Sequence, residues 1–170
     1  QLYYPTSAKL NNNIQDEYPL EFYELLIATQ ADGHLTEDSN AIQFSFVKQR
    51  KIDRLLNIIN VLNIDYSIFV HARKGRVETA VRLKAKDPYT LLLRKYLSEN
   101  KKILLNMLEL SYDTRYHILD CIKYWDGTIK SNGDIVLDTT DAFFIDLIQS
   151  ICSITNSKNI NNTFTKKTCY

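Results

Sequence analysis

The chain has 170 residues, enough for one domain or for two similar halves, and at 45% hydrophobic residues it can bury a substantial core. No apolar run reaches the ~18 residues of a membrane span, and no secretory signal pattern opens the chain. Cys121, Cys152 and Cys169 lack C-x-x-C spacing and His34, His71 and His117 are scattered, which argues against a zinc site and for free thiols in a reducing, intracellular compartment. The net charge of +1 hides an asymmetry. Residues 41–102 carry 14 Lys/Arg against 5 Asp/Glu, whereas residues 1–40 and 103–146 are acidic. A basic middle between acidic flanks suits a polyanion-binding surface beside a cation-binding site, and it also suits an ordinary solvated face.

In chain order, residues 1–19 hold two prolines and an Asn run without periodicity, as an extended lead-in would. The chain opens on Gln1 rather than Met, as a processed piece or part of a longer polypeptide does. The pattern from Leu20 to Ala31 is helical. "LTEDSN" carries turn residues, and "AIQFSFV" (41–47) alternates like a half-buried strand. "KIDRLLNIINVL" (51–62) places Ile52, Leu55, Leu56, Ile59 and Leu62 on one helical face. A hairpin follows, with one strand around 66–72, a Lys-Gly turn at 74–75 and a second strand over 76–84. The stretch 87–110 reads as helix, with Asp87 as N-cap and Pro88 at the first helical position.

A second stretch beginning at Thr114 repeats the first. When "WDG" is placed under "ADG", both copies show an apolar helix ending in Asp-Gly, a short strand, a turn, an alternating strand and an amphipathic helix. Asp32 and Asp126 are equivalent positions of this repeat. A single Asp-Gly is ordinary punctuation, because glycine accepts positive φ and Asp tolerates turns. An acid at a helix C-terminus, however, sits badly with the macrodipole. Two such misfits at equivalent positions suggest that negative charge is wanted there. Helices packed side by side about a pseudo-two-fold axis would bring both carboxylates together, with unsatisfied last-turn carbonyls beside them. Such hard oxygens suit Mg²⁺, and a pair of divalent cations can activate water and stabilise the leaving oxygen of a phosphodiester.

"LLIATQADG" (Leu25 to Gly33) and "LDCIKYWDG" (Leu119 to Gly127) resemble the two signature helices of LAGLIDADG homing endonucleases, over roughly residues 20–155. The resemblance implies an α+β fold of duplicated αββαββα-like halves, with antiparallel sheets forming a DNA-binding saddle. The first half would span 20–113 and a shortened second half 114–158. It implies a monomeric, Mg²⁺-dependent hydrolase that cuts double-stranded DNA, in a mobile element such as an intein with a fused splicing domain. Two or more divalent cations would be held by Asp32 and Asp126, helped by the backbone carbonyls of Ala31 and Trp125. Departures exist: the glycine usual at the third motif position is Ile27 in one helix and Cys121 in the other, and Trp125 replaces a small residue.

On the 76–84 strand Arg76, Glu78, Ala80, Arg82 and Lys84 share a face, and Arg and Lys there can meet phosphates and guanine edges. Lys48, Gln49, Arg50 and Lys51 cluster beyond the first strand, and His71, Arg73 and Lys74 at the hairpin tip. These residues are the expected DNA contacts. "RLKAKDPY" also resembles the stretch where that family places a basic residue near the scissile phosphate, which implies Lys84, with Arg82 next, to polarise the water network or stabilise developing charge. Gln49 and Gln30 are minor polar contributors, while Lys101 and Lys102 read as solvated helix charges. His34 reads as a turn histidine. The alternative is the same fold without cleavage, a catalytically degenerate nucleic-acid-binding module or an intron maturase.

Overall fold

A computed structural model describes residues 16–36, 39–73, 75–129, 131, 135–137, 139 and 141–155. They form two units, one of residues 19–105 and the other of residues 16–18 together with those from Asn106 onward. The first unit runs α1 (Leu20–Asp32), β1 (Gly33–Leu35), β2 (Ile42–Phe46), α2 (Gln49–Val61), β3 (Tyr66–Arg73), β4 (Arg76–Leu83) and α3 (Pro88–Tyr96). This is the expected αββαββα half. Its four strands make one antiparallel sheet in the order β1-β2-β4-β3.

Strand alternation divides that sheet into two faces. Ile42, Phe44 and Phe46 of β2 lie level with Leu83, Val81 and Thr79 of β4, and all but Thr79 are buried. Their face packs under the helices: α1 meets β1, β2, α2 and α3, and α2 meets β2. Because every residue of α1 from Phe22 to Gln30 is buried, it is the central helix, apolar nearly all round as such a position requires. Its one buried acid, Glu24, is ion-paired with Arg54 of α2. On α2 the buried positions are Ile52, Leu55, Ile58 and Ile59, with Leu56 only half-buried. Gly75 takes φ +75° at the turn between β3 and β4, where only glycine is at ease; Lys74 lies outside the described residues.

Asp87 caps α3 by accepting from the N–H groups of Tyr89 (2.9 Å) and Thr90 (3.3 Å), and its other oxygen accepts from Asp65 N–H at 3.1 Å. The helix expected over 87–110 nevertheless ends at Tyr96. Leu97 is extended and bridges Ile103 across a tight turn. Ser98 N–H donates to Lys102 O, Ser98 Oγ accepts from Lys102 N–H, and Lys101 sits at φ +59°. The serine and asparagine of "SENK" offer the backbone local bonds that compete with helix continuation. Only a 3₁₀ turn, Met107–Glu109, recurs further on.

The second unit is shorter: α4 (Tyr112–Trp125), β5 (Gly127–Ile129), β6 (Ile135–Leu137) and α5 (Ala142–Thr155), with β5 and β6 antiparallel. Ile118, Ile122, Trp125, Leu137, Phe144, Ile148 and Ile151 are buried. Ser111 caps α4. Asp16, from the segment expected as an extended lead-in, accepts from Ser111 N–H (2.8 Å), Ser111 Oγ and Thr114 Oγ1 (2.5 Å). Residues 1–15 and 156–170 lie outside the described residues.

Candidate nucleic-acid interface and acidic helix ends

At the end of α1 the chain passes directly from helix to strand, and the glycine is there for space rather than handedness. Gly33 has φ −76°, and its N–H donates to Thr29 O. A Cβ on Gly33 would lie 2.6 Å from Thr29 O and 2.8 Å from Thr29 Cγ2. Gly127 repeats the arrangement, since its Cβ would lie 2.6 Å from Lys123 Cα. In both units the strand leaves the helix so closely that only hydrogen fits. That accounts for each glycine of the two Asp-Gly pairs and leaves each aspartate to be explained.

Asp32 is met by a lysine. Lys51 Nζ lies 2.5 Å from Asp32 Oδ2, and the two side chains are 12% and 26% exposed. Lys51 belongs to the first turn of α2, and its ammonium also stands 5.8 Å from the centre of the Phe46 ring. Lys101 Nζ lies 3.5 Å from the carbonyl oxygen of Ala31. The expectation that Lys101 is a solvated helix charge is therefore corrected: it sits outside any helix, in the 97–103 turn, and reaches the acidic helix end. Two ammonium groups thus converge where α1 presents its negative pole.

The donor chemistry at this end, a carboxylate with a main-chain carbonyl one residue before it, suits a hard divalent cation, and the ammonium groups already there mark it as cation-seeking. Among the described residues no three His, Cys, Asp or Glu side chains group as a metal centre. The first unit accordingly offers one carboxylate and one carbonyl. In the second unit Asp126 is the C-cap of α4 and half-buried, and Trp125 is 3% exposed. The nearby Lys123 is committed to Asp120 and lies over the Tyr124 ring at 4.9 Å. Burial alone would lower the Lys123 pKa, but the Asp120 hydrogen bond and charge together with Tyr124 raise it.

The sheet face away from the helices carries His34, Gln43, Ser45, Ser67, Phe69, His71, Arg76, Glu78, Ala80 and Arg82, as alternation and register dictate. His71 lies opposite Glu78. Arg76 is exposed, Arg82 donates to Ser39 Oγ at 2.6 Å, and Lys84 donates to Ser67 Oγ at 2.6 Å. The row of Gly33 crosses β4 at Val81, so Lys84 lies three residues further along the chain, about 10 Å of strand. Gln30 is buried within α1, 7% exposed.

Lys48, Gln49 and Arg50 are exposed at the start of α2, whose first turn has no acid, so side-chain charge and the helix pole are both positive there. Gln49 Nε2 donates to Asp53 at 2.7 Å. The side chain of Arg73 lies outside the description. The β1–β2 connection is held by Arg94, which donates to the carbonyls of Thr36 (2.6 Å), Asn40 (2.7 Å) and Ala41 (3.2 Å).

The fold matches that of a LAGLIDADG domain. The chain is similar to the N-terminal LAGLIDADG domain of DUF199/WhiA with a TM-score of 0.55 at 16% identity, over 81% of this chain and 66% of that one. It also aligns with full-length DUF199/WhiA from Thermatoga maritima at TM-score 0.45 and 20% identity, over 71% of this chain and 37% of that one. The chain therefore spans slightly less than two thirds of the first of these proteins. No family model and no curated protein matches the sequence. No helix among the described residues is long and apolar enough to cross a membrane.

Proposed function

We propose that the chain grips double-stranded DNA on the open face of its four-stranded sheet and hydrolyses phosphodiester bonds with Mg²⁺ bound at the acidic helix ends, Asp32 and Asp126. It would act as a monomeric, site-specific endonuclease of a mobile element, such as an intein with a splicing domain. The observation that carries this reading is the end of α1. A helix stop needs Gly33 alone, yet Asp32 is present and two lysines from distant segments converge beside it. Phosphodiester hydrolysis calls for that combination of an anionic oxygen donor and cations able to offset charge developing on phosphate.

Asp32 and Asp126 would hold the metal, which when bound would supply an activated water and offset charge on the leaving oxygen. The chain's own part is to hold the carboxylate at the rigid end of a buried helix, to keep the Ala31 carbonyl beside it, and to place Lys51 and Lys101 within reach of a phosphate. Arg76, Arg82 and Lys84 supply sequence-independent grip through phosphates, while the neighbouring polar groups meet base edges.

A second reading, a DNA-binding module without cleavage, draws on the same lysines, because their ammonium groups lie against Asp32 Oδ2 and Ala31 O, two of the oxygens a metal would use in this unit. The two readings part in one experiment. The protein is incubated with a randomised duplex library and Mg²⁺, and cut ends are captured and sequenced. Cleavage at a defined site, lost in Asp32→Asn and Asp126→Asn while duplex binding persists, supports the endonuclease. Retained binding with no cut ends refutes it in favour of the binding module.

A further inference from the structure

We infer that Lys51 is a resident counter-cation that occupies Asp32 in the free protein and transfers to a phosphate when duplex DNA binds, so that DNA and divalent metal bind with positive cooperativity. The inference rests on the reading of Asp32 as a metal ligand and adds how that ligand is controlled.

The ion pair is direct, Nζ to Oδ2 at 2.5 Å, and Lys51 is the less exposed partner. An ammonium and a divalent cation cannot both hold that oxygen without strong like-charge repulsion. The second oxygen donor on this helix end, Ala31 O, has Lys101 Nζ at 3.5 Å. The free site therefore already has its charge compensated by the chain. A metal arriving alone must displace Lys51 from its carboxylate.

Lys51 is also poised to leave. It sits in the first turn of α2, where the helix pole disfavours a cation, and beside the exposed Lys48 and Arg50, which add to the positive potential. Its flexible four-carbon stem lets the ammonium move while the helix stays fixed. A duplex phosphate near the start of α2 offers the lysine a second anion. Asp32, 26% exposed, is then open to metal. Linkage makes the coupling reciprocal: metal at Asp32 releases Lys51 for DNA by the same factor.

The test uses Mn²⁺ as probe, with free ion counted by electron paramagnetic resonance, on the full chain and on Lys51→Met, Asp32→Asn and the double variant. Circular dichroism confirms folding, and Lys51→Gln replaces Lys51→Met if the latter does not fold. Removing Lys51 should tighten Mn²⁺ binding roughly 5- to 150-fold, the usual span of such couplings, and Asp32→Asn should abolish the gain. A duplex of arbitrary sequence should tighten Mn²⁺ binding to the unaltered chain and leave Lys51→Met nearly unchanged. If Lys51→Met binds Mn²⁺ no more tightly than the unaltered chain while Asp32→Asn weakens both, the metal ligand stands and the counter-cation role is refuted. If Asp32→Asn changes nothing in either background, the metal-ligand reading fails and this inference with it.

Discussion

The open face of the sheet makes a quantitative prediction about salt. Arg76, Arg82 and Lys84 lie on one side of β4 and its end, and each can neutralise one phosphate. Each phosphate neutralised contributes about −0.9 to the slope of log affinity against log salt on B-DNA. Together the three supply about −2.7, which between 50 and 200 mM salt is roughly a 40-fold loss of affinity. Cations elsewhere add to the total slope but not to the difference made by one substitution. Arg76→Ala should flatten the slope by about 0.9, so that its affinity ratio across that salt range shrinks about 3.5-fold, and the triple Arg76/Arg82/Lys84→Ala should remove about 40-fold. Fluorescence anisotropy of a labelled arbitrary duplex, titrated in EDTA to prevent cutting, measures this directly. Lys95→Ala is the control, because Lys95 lies on α3 over the Tyr96 ring rather than on the sheet. Equal slopes for the triple variant and the unaltered chain, or an equal change in Lys95→Ala, would refute the assignment of this face to DNA.

Two predictions concern stability. Gly33→Ala forces a methyl against Thr29 backbone and should cost about 1–3 kcal/mol by overpacking, read as a lower urea midpoint; an unchanged midpoint would mean that the helix-to-strand passage is looser than described. Burial pushes the Asp16 carboxyl pKa up, but hydrogen bonds from Ser111 and Thr114 and the charge of Arg115 bring it below the ordinary 3.8. A depressed folded pKa contributes stability above the unfolded value, and that stability fades as pH falls through the folded one. Asp16→Asn should therefore lower the urea midpoint of the second unit at neutral pH, with the deficit shrinking below about pH 4; a deficit of equal size at both pH values would contradict the charge-based account.

Much of the fold is legible because its signals are local. The alternation of "AIQFSFV" and the Asp-Pro start of α3 each settle an element, and the parity of β4 assigns Arg76 and Arg82 to the open face before any strand is paired. The end of α3 is harder to read. "RKYLSENKKILL" has the composition of a helix, but the local bonds of Ser98 with Lys102 and the bridge between Leu97 and Ile103 make it turn. That one misreading also conceals Lys101, whose ammonium reaches Ala31 because the turn folds back. "SEN" is the signal that could have exposed it, being two residues that favour turns around a glutamate. Lys51 reads as one of four basic or polar neighbours after β2, and nothing in its spacing from Asp32 announces their contact. The glycines read as conformational punctuation, whereas Gly33 has ordinary φ, because steric crowding against a preceding turn leaves no mark on composition.

The contact of Asp16 with Ser111 and Thr114 makes the first unit an insertion within the second. Closing a loop of the 95 residues that separate Asp16 from Ser111 costs about 4 kcal/mol in an open chain. Domains generally fold as units, the N-terminal one first during synthesis. Residues 19–105 can thus condense while Ser111 is still inside the ribosome, shortening the floppy tether before its ends meet. The second unit, smaller and started earlier, is completed last. A mutation that slows the four-stranded sheet would then first be felt as late docking of the N-terminal segment onto α4, and pulsed hydrogen exchange at the Ser111 amide would time that event.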